Sequence, residues 1–234
     1  MTKRKLFEQD PKLIQRWVKI RFSSFASPIA RFYMRPILHF KERKRIREIE
    51  KSVDSTLLLV ARCKKEGYSD TLVVANAALY LLLAELDIAM IKVDALTHPH
   101  AWKRKLYIRL FVLTAFERNI HHVFGRSFRD SVERLGCEPS LLEALTKELR
   151  EFRRTHEKLQ YRYKYYRDET IAHRESDAIS THKAIKNLRE TDFIQSVAEV
   201  YPSIEGVLNC VTQILLKHGN VEALRKFSKN NKNL

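Results

Sequence analysis

Arg167 and His173 are the two residues whose types and spacing could carry out a reaction together. They bracket the segment Arg167-Asp168-Glu169-Thr170-Ile171-Ala172-His173. A histidine titrates near pH ~6.5, so close to neutrality it can take a proton from a hydroxyl or give one to a leaving oxygen. An arginine stays charged, and its planar fork can hold a phosphate and stabilise the extra negative charge that develops when phosphorus is attacked. RNA brings its own nucleophile, the ribose 2′-OH. The pair therefore suits phosphodiester cleavage without a metal ion, with Asp168 or Glu169 orienting it. The plainer reading is a helix-end histidine bonded to a carbonyl and an arginine in a surface ion pair.

The residues before the segment predict a long helix that starts after Pro139, with Ser140 as cap and Glu143 completing a capping box, and runs to about 172. Leu145, Leu149, Phe152, His156, Leu159, Tyr163 and Tyr166 recur at steps of three or four and define a buried stripe. Residues 147–167 also hold eight Lys/Arg against three Glu. Tyr161, Tyr163, Tyr165 and Tyr166 alternate there with Arg162, Lys164 and Arg167. Rings of this kind stack on unpaired bases while cations hold phosphates, which makes Arg162, Lys164, Tyr165 and the following Arg174 candidate RNA contacts. A solvated helix face with core tyrosines has the same composition. On a regular helix, six residues place Arg167 and His173 about 120° apart. Either the helix distorts or ends between them, or each works with groups of another chain.

The segment RDETIAH resembles the motif of the HEPN superfamily: an arginine, a polar residue, a short spacer and a histidine, with Asp168 in the polar position. The Ala172-His173 pair and the continuation Arg174-Glu175-Ser176-Asp177 are similar to abortive-infection members of that family. The close likeness covers about ten residues, and a looser one in helix order spans roughly 101–217. It implies a helical bundle, and an endoribonuclease site formed by Arg167, His173 and Asp168 where two copies meet about a two-fold axis. It also implies a toxin or antiviral-defence role and a cognate antitoxin or regulatory protein.

Composition fits this expectation. Five glycines and six prolines in 234 residues argue for long helices with short connections. The formal charge of +16 favours a polyanionic partner. Residues 1–50 contribute +9 of it, from 14 Lys/Arg and 5 Asp/Glu, interleaved with aromatics such as Trp17, Phe32 and Phe40. A short amphipathic helix is expected near 11–22, broken by Pro28, with Pro36 opposing a restart. Further helices are expected over about 41–65, 70–96, 100–135 (with a break at Gly125), 177–190 and 192–217. The apolar stretch 72–84 reads as a buried core helix, interrupted by Asn76 and ended by Glu85 and Asp87 short of a membrane span. Leu79, Leu82, Leu83, Leu86, Leu110, Leu113, Leu149, Phe152 and Leu159 are expected to be buried. Cys63, Cys137 and Cys210 have no zinc-ligand spacing and read as reduced structural residues. His98-Pro99-His100 and His121-His122 lack the spacing of a metal site, so neither metal nor cofactor is expected.

The sequence thus predicts an all-α, up-and-down helical bundle over 41–220, an extra basic arm over 1–40 and a basic polar tail over 221–234. The expected activity is metal-independent RNA cleavage by a cytoplasmic homodimer. The alternatives are a non-catalytic HEPN module that binds RNA or regulates a partner, and a helical scaffold whose arm lies on an anionic membrane surface.

Overall fold

Proline at the first helical position costs nothing in hydrogen bonds, because that N–H has no intrahelical acceptor. Two of the long helices begin this way. The computed structural model describes residues 28–116, 120–172 and 178–219. The amphipathic helix expected near 11–22, the first part of the arm and the tail lie outside these residues. In order, the elements are α1 (Pro28–Glu66), α2 (Ser69–Thr97), α3 (Ala101–Phe116), α4 (Ile120–Val123), α5 (Arg126–Arg134), α6 (Pro139–Arg167), a π-helical turn (Asp168–Ala172), α7 (Ala178–Asn187) and α8 (Glu190–His218). No strand occurs among the described residues, and the fold is all-α.

Helix ends follow local chemistry. Gly67 takes φ +77°, and the Tyr68 N–H reaches back to the Cys63 carbonyl at 3.0 Å, a left-handed glycine cap closing α1. Gly136, at φ +65°, follows α5 with its own N–H bonded to the Glu133 carbonyl at 2.9 Å. Gly125 leaves helical geometry before α5, at the break expected within 100–135. At the start of α6 the first N–H groups, of Leu141 and Leu142, bond the Glu138 carbonyl. The cap is therefore Glu138 rather than Ser140, because Pro139 fills the first helical position.

Residues 28–40, expected as part of an arm, are the opening turns of α1, which runs through Pro36. An internal proline removes one hydrogen bond and crowds the preceding turn, at a cost of about 3 kcal/mol. Here tertiary pairs hold the same segment: Arg31 to Glu190 at 3.1 Å and Arg35 to Asp94 at 2.9 Å.

The chain divides into two compact units, and several long helices contribute to both. One unit draws on residues up to Ile46, Asp87–Phe116 and Leu159–Glu199. Its core holds Ile108, Phe111, Tyr163 and Phe193, with Phe111 edge-on to Phe193 at 5.1 Å. The other draws on Arg47–Leu86, Glu117–Lys158 and Val200 onward, around Phe124, Phe128, Phe152 and Ile204.

In α2 the buried face differs from the expected one. Val74, Ala75, Ala78, Leu81, Ala84 and Ile88 face inward, while Leu83 is exposed and Leu79, Leu82 and Leu86 are half-buried. Leu110 of α3 is exposed and Leu113 half-buried, whereas Leu149, Phe152 and Leu159 are buried as expected. Both sides of α2 are apolar, so hydropathy does not choose between them, and small side chains allow the closer packing that fixes the inner one. By length and composition α2 is long and apolar enough to cross a membrane; 44% of its most apolar window is buried in the protein.

Candidate functional site

The helix that carries Arg167 changes register immediately after it. From Asp168 to Ala172 the backbone is π-helical, with N–H groups bonded five rather than four residues back. The distortion allowed by the sequence is thus present between Arg167 and the position of His173. His173 and Arg174 themselves lie outside the described residues.

The π turn is held from two sides. Thr170 is buried, its hydroxyl donates to the Tyr166 carbonyl at 2.6 Å, and its own carbonyl accepts from Arg109 Nη2 of α3 at 2.6 Å. Glu169 anchors the first turn of α7. Its carboxylate accepts from Ser180 Oγ at 2.9 Å and its main-chain oxygen from Thr181 Oγ1 at 3.3 Å. At the surface, Arg167 Nε donates to Asp168 Oδ1 at 2.7 Å, and Arg167 Nη2 meets the same oxygen. The two side chains are 35% and 32% exposed, so the pair is open to solvent. Arg167 and Asp168 are therefore brought together, while Glu169 turns to a structural role.

The four tyrosines before the turn separate into two pairs. Tyr163 is buried, its hydroxyl 3.0 Å from Ser196 Oγ, and burial pushes that hydroxyl well above the ordinary phenol range. Tyr166 is half-buried and donates to the Asn187 carbonyl at 3.3 Å. Tyr161 and Tyr165 point outward, 88% and 54% exposed, four residues apart on one face with Lys164 also exposed. This outward pair of rings and its lysine can stack bases and hold a phosphate. Arg162 does not join them: its Nη1 donates to Ser196 Oγ at 2.6 Å and its Nη2 pairs with Glu199 at 3.2 Å, both mostly shielded.

Arg109 escaped the sequence reading. Its one signal is that it is the only charged residue in the apolar run 106–116. Glu190 was equally hidden; it is gripped by Arg31 and by Arg104 Nε at 2.6 Å, while Arg104 Nη1 also holds the His98 carbonyl at 2.7 Å. His98 in turn accepts the His100 N–H at 3.1 Å, a turn-stabilising role. Asp87 is exposed and Glu85 half-buried. The three cysteines are buried free thiols, raised by that burial above their usual range. Among the described residues no group of three or more His, Cys, Asp or Glu is arranged to hold a metal ion.

No family model, curated protein sequence or solved structure matches this chain.

Proposed function

We propose that the chain is a HEPN-type, metal-independent endoribonuclease that works as a homodimer in the cytoplasm, as a toxin or antiviral-defence effector restrained by a cognate protein. The observation that carries this reading is the surface Arg167–Asp168 pair, set where the backbone changes register inside an RDETIAH motif. π turns inside α-helices recur at functional sites. In the reaction, a His173 imidazole removes the proton of the ribose 2′-OH, and the oxygen attacks the adjacent phosphorus. The bond from phosphorus to the 5′-oxygen breaks, and that oxygen takes a proton from a protonated histidine, supplied by the second copy of the motif. Arg167 holds the phosphate and its added charge. Tyr161, Lys164 and Tyr165 supply a sequence-tolerant platform for the strand.

The deciding experiment is His173→Ala, assayed for both RNA cleavage and RNA binding. Cleavage should vanish with affinity nearly unchanged, whereas full activity of the variant rejects the mechanism. A second reading, a non-catalytic RNA-binding module, is favoured by the outward face of Tyr161, Lys164 and Tyr165, which can bind a strand without Arg167. Tight RNA binding with no cleavage by the unaltered protein under any condition selects it.

A further inference from the structure

Ahead of the motif in sequence, α5 and the α6 residues from Leu142 to Glu157 enclose a cleft of about 540 Å³, within the range of small-molecule sites. Its floor is apolar, with Phe128, Val132, Leu145 and Leu149 all buried beneath it. Its rim carries Arg129, Arg150, Arg153 and Arg154 against Glu133 and Glu157, a surplus of positive charge. Ordinarily, arginines this close on a helical surface find carboxylates. The side chains of Arg129 and Arg150 have no ion-pair or hydrogen-bond partner among the described residues. Arg153 is fixed by its bond from Nη2 to the Phe124 carbonyl at 2.7 Å, yet its buried Nε has no acceptor among the described residues. A buried donor in that state favours an acceptor brought by a ligand.

The two longest segments outside the described residues are themselves basic. Residues 1–27 hold seven Lys/Arg against Glu8 and Asp10, and the tail sets Arg225, Lys226, Lys229 and Lys232 against Glu222. Both would repel the rim. A nucleobase would find few partners for its polar edge on a floor made almost wholly of hydrocarbon. We infer that the cleft binds an anionic amphiphile, an aliphatic chain ending in a carboxylate or phosphate, with the chain on the floor and the head among Arg129, Arg150 and Arg153.

The test is calorimetric titration of the full chain with dodecanoate and with dodecyl phosphate, both below their micelle concentrations. Dodecanol, inorganic phosphate, dodecyltrimethylammonium and AMP serve as comparisons. One or both amphiphilic anions should bind at least about tenfold more tightly than every comparison; which of them does identifies the head group. The exposed substitutions Arg129→Glu with Arg150→Glu should weaken that binding by about tenfold or more, and Arg150→Gln alone should weaken it by less. Lys44→Glu with Lys64→Glu, an equal charge change at exposed sites outside the cleft, should leave it within about twofold. Equal binding of dodecanol, of inorganic phosphate or of AMP overturns the inference. So does an equal loss in the lysine variant, which would assign the effect to overall charge.

Discussion

Arg109, at the middle of α3, holds the carbonyl oxygen of Thr170, at the middle of the π turn, 61 positions away in sequence and 2.6 Å away in space. A π turn shifts carbonyls out of the register that satisfies them within a helix, and a charged donor here meets one of them. Arg109→Leu should lower stability by about 1–3 kcal/mol. It should also speed amide exchange selectively over 168–172. Uniformly faster exchange across the whole chain would mean that Arg109 supports the fold at large and not the turn.

The chemistry of the proposed cleavage fixes its products. Attack by the 2′-OH leaves a 2′,3′-cyclic phosphate, or its opened 3′-phosphate, and a 5′-hydroxyl. EDTA should have no effect, and a 2′-deoxy substitution at the scissile nucleotide should block the reaction. Arg167→Ala should abolish cleavage and also weaken binding, since its charge contacts phosphate before as well as during the reaction. Products bearing a 5′-phosphate would rule this route out.

The tyrosines should respond in opposite ways. Tyr163→Phe removes a buried bond to Ser196 and should cost about 1 kcal/mol of stability while leaving RNA affinity alone. Tyr161→Ala and Tyr165→Ala should leave thermal unfolding nearly unchanged and weaken binding of unpaired RNA by about 1–3 kcal/mol per stacked base. Equal effects of all three on binding would show that the strand does not lie on the outward face.

Two truncations separate arm from fold. Deleting residues 1–27 removes a net charge of +5, from seven basic and two acidic residues, and no described residue. RNA binding should weaken and its logarithmic salt dependence flatten, by about 0.7 for each phosphate of single-stranded RNA that the arm no longer neutralises. Deleting residues 1–40 also removes the Arg31–Glu190 and Arg35–Asp94 pairs and should lower the unfolding temperature. An unchanged salt slope after the shorter deletion would take the arm out of RNA binding.

Much of the helical layout was legible because the polar and apolar sides of α6 differ sharply. The stripe from Leu145 to Tyr163 reads directly from spacing, and those residues are buried. The same logic fails for α2, whose leucine and alanine sides are both apolar. It also fails at Pro36, where local propensity says stop and distant carboxylates hold the helix on. The candidate site was legible as a motif and not as a shape, since nothing in the composition of DETIA marks a bond pattern shifted by one residue. Arg129 and Arg150 lie on opposite sides of a turn, so the sequence shows each only as one more surface cation.

The Arg31–Glu190 grip sets an order of events during synthesis. The two residues are 159 positions apart. At roughly 5–20 residues per second, Glu190 is made about 8–30 s after Arg31. Throughout that interval the opening turns of α1 carry an internal proline and lack Glu190, with Asp94, made earlier than Glu190, as a partner. The N-terminal end of α1 is thus made well before the last of its carboxylate partners. A nascent chain halted before α8 should expose that end to proteases and chaperones, whereas one halted just beyond it should not.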